Sequence, residues 1–345
     1  MRNDVRNQLV LGLLHGDSRT WAAARQRLNL VPPKRRMRMR YLDEFSEVRS
    51  QSSLPVPYLH STHESVLNPL GPADVSEWFF VSFLSTAGLS LDLAESACQQ
   101  IWHDLAMKRK SDKTNVRGRI GTTLSLETIA RTNSFETSGK DNPHYFDDLA
   151  LIRAVAVTLA TPEDKSLSDS INRELSVTSS HDGLSAGIAA GLIFQKLLSG
   201  DSPKEAIAAA LDQVPSESWT HSVVVEALGL ASQATSADEL GYLLEREIAD
   251  HVYSYQVSAP ETLAMFCAYL VFCSSRSELL LAGFLNSSRS EVLVPLLWSS
   301  CGLLFGGFAD SPGALQGLSI RQLKGLHLDK TLSEIAQRVP GRLTQ

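Results

Sequence analysis

Two residues of opposite charge, Arg289 and Glu291, directly precede the most apolar stretch of the chain, residues 292–308. A carboxylate such as that of Glu291 can hold a cation, whereas a guanidinium has no lone pair to offer a metal and stays charged. Two unit charges about 4 Å apart at an effective dielectric of ~20 interact by roughly 4 kcal/mol, and a divalent ion meets a larger repulsion still. Glu291 could therefore bind a cation, whereas Arg289 could not and would repel a divalent ion close to it.

A second candidate segment, residues 118–123, has the sequence Gly-Arg-Ile-Gly-Thr-Thr. Backbone N–H groups in the first turn of a helix bind anions well, so Gly121 and Thr122 are candidate contacts for a phosphate group. The same residue types also make an ordinary helix start, and the sequence leaves both interpretations open.

Residues 183–187, Gly-Leu-Ser-Ala-Gly, have the spacing of the nucleophile elbow of serine hydrolases. That elbow requires a strand before it and a helix after it. The residues before Gly183 have small or polar side chains, which do not predict a strand. We therefore interpret these small residues as a site of close helix packing.

The composition is that of an ordinary globular protein, with 43% hydrophobic residues and a formal net charge of −6. This balance argues against a nucleic-acid partner, although basic residues collect between Arg25 and Arg40. The apolar stretch 292–308 is too short and too interrupted to span a bilayer, so we expect no membrane association. Four cysteines without Cys-x-x-Cys spacing and a start that makes a poor signal peptide predict a cytoplasmic protein with free thiols.

Apolar residues recur every three to four positions along nearly the whole chain, and no run alternates apolar with polar residues. We therefore predict an all-α fold with a single domain over residues 1–345. Ser202-Pro203 is a helix start and Gly200 a helix end. Residues 32–72, with prolines at 55, 57, 69 and 72, predict a long irregular loop of the kind that often borders a site. Residues 337–345 are predicted to be a C-terminal tail.

Several segments, in matching order, resemble motifs of the ADP-ribosylglycohydrolase family. Residues 12–17, Gly-Leu-Leu-His-Gly-Asp, resemble its Gly-x-x-x-Gly-Asp, and residues 118–123 resemble its Gly-x-Gly-x-Thr-Thr. The stretch from Ser138 to Arg153 is similar to its Ser-x-Gly-Asn-Gly loop and the Met-Arg helix that follows. His181 matches the second histidine of its Thr-His-x-His-Pro turn.

Two further motifs depart from the family pattern. Its Thr-Asp-Asp-Thr corresponds to Ala-Asp-Val-Ser at residues 73–76, and its Gly-Gly-Asp-Thr-Asp-Thr corresponds to residues 287–292, where Arg289 replaces an aspartate. The resemblance implies an all-helical hydrolase fold that removes ADP-ribose from its acceptors with two magnesium ions in a cleft. The departures predict that the metal sites are lost and that Arg289 takes the metal's place by bridging Asp74 and Glu291.

The resemblance also implies a cleft in which the matched polar residues converge. These residues are Asp17, Asp74, Gly121, Thr122, Asp147, His181, Arg289 and Glu291. Asp74 and Glu291 are the expected catalytic residues, either of which would activate water as a general base, and the others are expected to bind the ligand. We expect no metal and no cofactor; magnesium enters only if the chain is an active enzyme.

Three functions remain open at this point. The first is a pseudoenzyme, a catalytically degenerate relative that binds ADP-ribose, another nucleotide-like ligand or a protein partner. The second is an active hydrolase of ADP-ribosyl or other N-glycosidic bonds. The third is a helical interaction protein, which fold alone would not distinguish from the other two. A polar cleft with a basic spot favours the first two, and a cleft filled by side chains favours the third.

Overall fold

The computed structural model describes residues 2–20, 74–86, 91–111, 120–161, 166–249, 258–286 and 289–308. These residues form fourteen α-helices, and their only β pairing is an isolated antiparallel bridge between Asp147 and Ser258. The predicted all-α class is confirmed. The predicted loop over residues 32–72, the basic stretch 25–40 and the predicted tail 337–345 lie outside the described residues.

In chain order the helices are α1 (Arg2–Asp17), α2 (Asp74–Thr86), α3 (Leu91–Ser111), α4 (Ile120–Thr132), α5 (Glu136–Lys140), α6 (Leu149–Ala160), α7 (Leu167–Leu175), α8 (His181–Ser199), α9 (Pro203–Leu211), α10 (Trp219–Gln233), α11 (Ala237–Glu247), α12 (Ala259–Phe272), α13 (Arg276–Ala282) and α14 (Ser290–Phe305). None of the described helices combines the length and the apolar character that a membrane crossing needs.

Cap residues set several helix ends, as the sequence predicts. The Ser202 side chain accepts a hydrogen bond from the Glu205 amide while the Glu205 carboxylate accepts one from the Ser202 amide, which completes a capping box at the start of α9. Gly200 ends α8 in the left-handed region, with φ at 95°. At the start of α11 a capping box is only half formed. The Ser236 side chain accepts from the Glu239 amide, but the Glu239 carboxylate accepts from Thr235 instead of Ser236.

Helix α6 lies at the centre of the described structure, and all twelve of its residues are buried. Helices α2 and α8 pack against it, and α12 packs against α10. The apolar residues that recur along α6 and α12 meet in the main core. These two central helices begin close together, which places the residues of their first turns inside the protein instead of at its surface.

Small residues bring α1 and α14 into close antiparallel contact. A Cβ atom on Gly16 would lie 2.9 Å from the Pro295 Cα, and one on Gly302 would clash with the Gln8 carbonyl oxygen. Only glycine allows two backbones to approach this closely. Because the helices run in opposite directions, Asp17 at the end of α1 lies level with the first turns of α14.

Candidate functional site

Three helices begin around the Asp147 carboxylate. Its Oδ2 accepts a hydrogen bond from the Gly121 amide of α4 at 3.1 Å, and its Oδ1 accepts one from the Leu149 amide of α6 at 3.0 Å. The bridge between Asp147 and Ser258, with the Ala259 amide donating to the carbonyl of residue 146 at 2.7 Å, brings in the start of α12. One acidic side chain therefore caps two helices and lies beside the start of a third.

Two more helices begin at the same place. The Ser180 amide, at the N-terminus of α8, donates to the Tyr145 carbonyl oxygen at 3.3 Å. The N-terminus of α14 joins through an ion pair in which Arg289, its N-cap residue, binds Glu261 in the first turn of α12. We call this meeting point of the N-termini of α4, α6, α8, α12 and α14 the junction.

The ion pair between Arg289 and Glu261 is fully buried. Nη2 of Arg289 donates to Oε2 of Glu261, and each residue is 1% exposed. The sequence-based prediction named other partners, Asp74 and Glu291. Glu291 is also 1% exposed, but the described ion pair of Arg289 is with Glu261, so the predicted pairing with Glu291 is wrong. Asp74 begins α2, and its side chain lies outside the described residues.

Glu261 was not among the residues selected from the sequence. Its signal was present, since Pro260-Glu261-Thr262 opens a helix whose next residues are almost all apolar. A carboxylate at the start of such a helix acts as an ordinary first-turn acid if it faces water, and it needs a cation if it is buried. The choice depends on which helix packs over that first turn, and here the helix is α14 with Arg289.

The remaining donors of Arg289 are left open. Among the described residues, neither Nε nor Nη1 of Arg289 has a hydrogen-bond partner, and the same holds for Oγ of Ser258, which is 1% exposed. Ser258 is the N-cap residue of α12 but makes no side-chain cap hydrogen bond. The junction therefore holds buried donors to which no described residue offers an acceptor.

A second buried arginine, Arg153, differs in this respect. Its Nε donates to Ser82 Oγ at 3.1 Å, its Nη1 donates to the Thr178 hydroxyl, and its Nη2 donates to Glu174 Oε1 at 3.1 Å. Its guanidinium also lies 4.7 Å from the centre of the Trp102 ring. All three nitrogens are satisfied, so Arg153 has a structural role.

Asp17 links the end of α1 to the start of α2. Its Oδ2 accepts hydrogen bonds from the Ser76 amide at 3.0 Å and from the Ser76 hydroxyl at 2.6 Å. Ser76 lies two residues after Asp74, so the structure brings together two segments that the family resemblance matched separately. The Asp17 carboxylate therefore stabilises the N-terminal turn of α2.

The predicted phosphate contacts at Gly121 and Thr122 have a structural explanation. The Gly121 amide donates to Asp147, and its carbonyl accepts from Asn142 Nδ2 at 2.8 Å. Thr122 is buried, as is Asp147. The structure therefore brings Gly121 and Asp147 together, but they hydrogen-bond each other. Beside them, burial lowers the pKa of His144, which favours the neutral imidazole.

Aromatic rings lie along one edge of the junction. His181, the exposed first residue of α8, has its ring 5.5 Å from Tyr145, which contacts Phe146 at 4.9 Å. Phe146 in turn contacts Trp219, the first residue of α10, at 5.8 Å, and Trp219 is 38% exposed. We call these four residues the aromatic rim. Of its members, only His181 was selected from the sequence.

The charges of the junction nearly balance. Four buried carboxylates belong to it, those of Asp147, Asp148, Glu261 and Glu291. Each helix N-terminus contributes a partial charge of about +0.5, so five N-termini together with Arg289 offset most of the negative charge. Asp148 is tied to α12 by the Thr262 hydroxyl, which donates to its Oδ2 at 3.4 Å.

The described residues do not fit a two-magnesium site. No group of three or more histidine, cysteine, aspartate or glutamate side chains in this part of the chain is arranged to hold a metal ion. Magnesium prefers near-octahedral oxygen coordination, and Arg289 already holds one of the buried carboxylates that could contribute to it, that of Glu261.

Comparisons with protein-family models and with curated proteins give no match. A solved structure titled "ADP-ribosylglycohydrolase-related protein complex" is similar to this chain, with 18% sequence identity and a TM-score of 0.48. The similarity covers 99% of this chain and 97% of that one. The all-α class of the chain rests on its own helices.

Proposed function

We propose that this chain is a catalytically degenerate relative of the ADP-ribosylglycohydrolases. It binds ADP-ribose, or a nucleotide much like it, without a divalent cation and without cleaving it. The observation that carries the proposal is the buried ion pair between Arg289 and Glu261 at the junction. A permanent cation, supplied by the polypeptide, lies in the segment that resembles the family's metal motif.

The ion pair argues for an intrinsic substitute for the metal. A guanidinium is charged at all relevant pH values and binds carboxylates through directional N–H groups, so it neutralises a buried acid without any ion from solution. A divalent cation entering the junction would have to overcome the repulsion of Arg289 or break its pair with Glu261. Breaking a buried pair costs about 3–5 kcal/mol, which disfavours exchange with a soluble metal.

Two features favour a nucleotide-like ligand over a solely structural role for the junction. The first is the set of open donors on Arg289 and Ser258, since buried polar groups without partners are rare in native proteins. The second is the aromatic rim, where the partly exposed Trp219 and the exposed His181 present ring surfaces, and where the Phe146 carbonyl accepts from the Ala259 amide at the start of α12. Polar groups beside aromatic rings suit a ligand that carries both a planar base and oxygen-rich groups.

Calorimetric titration with ADP-ribose, in chelator and in millimolar magnesium, tests the proposal. We expect the same affinity in both solutions and no release of ADP-ribose from an ADP-ribosylated peptide. The Arg289→Ala variant should lose affinity, whereas Arg246→Ala, which removes an exposed arginine, should not. Binding that requires magnesium, or turnover of the peptide, would instead establish an active glycohydrolase. Absence of binding in both solutions would refute the nucleotide ligand and favour a protein-interaction role.

A further inference from the structure

We infer that residues 309–345 of this chain pack against an exposed apolar surface formed by α11, α13 and the last turn of α14. This surface shares no residue with the junction or with the aromatic rim. The inference concerns a contact within the chain and does not depend on the proposed ligand.

The exposed apolar side chains of the described residues are concentrated in one region. Eight large hydrophobic side chains of the described residues are exposed, and five of them belong to α11, to α13 with the turn after it, and to the last turn of α14. We call these five residues the apolar face: Tyr242, Leu281, Leu285, Leu304 and Phe305. Single exposed hydrophobic residues are common on proteins, whereas a group of them marks a surface that binds something.

Direct contacts join the parts of the apolar face. Leu285 packs on α11, because a Cβ on Gly241, the neighbour of Tyr242, would lie 2.9 Å from the Leu285 Cβ. Leu281 lies four residues before Leu285, at the end of α13. Nε of Arg276, the first residue of α13, donates to a carbonyl directly after α14 at 3.2 Å, so the end of α14 lies beside the start of α13.

The chain leaves the last described helix at one end of the apolar face. Nη2 of Arg276 donates to the Gly307 carbonyl oxygen at 3.1 Å, and its guanidinium lies 5.2 Å from the centre of the Phe308 ring. Residue 309 therefore follows directly beside the first turn of α13. A segment tethered at this point has a high effective concentration at the apolar face, so a small surface is enough to hold it.

The amino-acid sequence of residues 309–345, which lie outside the described residues, complements the apolar face. Residues 328–336, Leu-Asp-Lys-Thr-Leu-Ser-Glu-Ile-Ala, have apolar side chains at positions 328, 332, 335 and 336. This spacing predicts an amphipathic helix with one apolar side, which is the shape that an exposed apolar surface can bind.

The charges around the two apolar surfaces have opposite signs. Helices α11 and α13 together carry five acidic residues and two arginines, a net charge of −3. Residues 309–345 carry five lysines and arginines and three acidic residues, a net charge of +2. Four of these basic residues lie on the two sides of residues 328–336, namely Arg321, Lys324, Arg338 and Arg342. Electrostatic attraction therefore favours the same contact as the apolar residues do.

A second copy of the chain is a poorer occupant of the apolar face. A stable interface between two proteins buries about 800 Å² on each partner and includes roughly 20–30 residues a side. The apolar face consists of five large side chains. A separate molecule also loses translational and rotational freedom when it binds, and a tethered segment loses much less.

Hydrogen–deuterium exchange of the full chain, read by mass spectrometry, tests the inference. We expect the amides of residues 328–336 to be protected in the wild type and to exchange about tenfold faster in Leu281→Ser, because an apolar contact is lost. Val225→Ser, which changes an exposed apolar residue of α10 outside the apolar face, is the matched control and should keep the wild-type protection. Conversely, Leu332→Ser should speed up exchange in residues 276–286.

The molecular mass in solution separates the possible occupants. Light scattering at several protein concentrations should show that residues 328–336 are protected in the monomer. Protection that appears only in a dimer would assign the apolar face to a second copy and overturn the inference. Absence of protection in the wild type would overturn it as well, and so would equal exchange in Leu281→Ser and Val225→Ser or an unchanged α13 in Leu332→Ser. Thermal melting verifies that each variant is folded, and Tyr242→Ser replaces Leu281→Ser if the latter unfolds.

Discussion

The Arg289 guanidinium donates to the Glu261 carboxylate across 28 residues of chain, and both side chains are buried. The pair joins the N-terminus of α14 to the first turn of α12. Arg289 lies in the segment that resembles a metal motif, and its Nε and Nη1 have no partners among the described residues. We expect the stability of the protein and its response to divalent ions to depend on this pair.

Removal of one partner should be costly. We expect Glu261→Ala to lower the free energy of unfolding by about 3–5 kcal/mol, because it leaves a buried guanidinium without its counter-charge. Urea denaturation measures the change. The matched control is Glu247→Ala, which breaks the exposed pair with Arg246 and should have little effect. A loss no larger than that of the control would contradict the role of Glu261 as the counter-charge of the buried guanidinium.

The response to magnesium should depend on residue 289. The melting temperature of the wild type should not change in millimolar magnesium, because Arg289 repels the ion. Arg289→Asp removes the repulsion and adds a carboxylate, so magnesium should raise the melting temperature of that variant by preferential binding to the folded state. Arg289→Met, which adds no carboxylate, serves as control and should not respond. A magnesium-dependent rise in the wild type would contradict the proposed function.

The close contact between α1 and α14 should tolerate no side chain at Gly302. A Cβ there would clash with the Gln8 carbonyl oxygen, so Gly302→Ala should cost about 1–3 kcal/mol through displacement of a helix. Gly229 of α10 offers a matched control, because a Cβ at that position meets no atom within 4 Å. Gly229→Ala should instead stabilise the protein by about 0.5–1 kcal/mol through its helix propensity. Differential scanning calorimetry of both variants decides the matter, and equal melting temperatures would contradict the close packing.

Capping carboxylates should make stability fall in acid. Hydrogen bonds from the Ser202 hydroxyl and amide hold the pKa of Glu205 below its ordinary value of 4.5, and those from Ser274 and Ser275 do the same for Glu278. The unfolded chain therefore binds protons at a higher pH than the folded chain does. The contribution of each cap is fully present above the unfolded pKa and is lost as the pH falls through the folded pKa.

The Glu205→Gln variant tests this pH dependence. Its free energy of unfolding should lie below that of the wild type at neutral pH, and the difference should shrink as the pH falls below the folded pKa of Glu205. Urea titrations over a series of pH values measure the difference. Glu226→Gln on the exposed side of α10 is a control that should show no such convergence. A difference that stays constant with pH would contradict the role of the cap.

Local patterns predicted the helices well, because each pattern acts within a few residues. Ser202-Pro203 begins α9 and Gly200 ends α8 in the structure as the sequence predicts, since the capping hydrogen bonds connect neighbouring residues. The apolar periodicity of residues 149–159 likewise marks α6, whose full burial follows from apolar residues on every face. The all-α class follows from such signals alone.

The site could be predicted only in part, because its contacts connect distant segments. The sequence singled out Arg289 through its charge, since a guanidinium cannot bind a metal wherever it lies. It could not identify Glu261 as the partner, nor show that Asp147 caps α4 and α6, because these contacts exist only where helix N-termini from separate parts of the chain meet. Residue type thus determined what Arg289 is able to do, and tertiary packing decided which carboxylate is close enough to bind it, because electrostatic pairing depends on distance in space and not on distance along the chain.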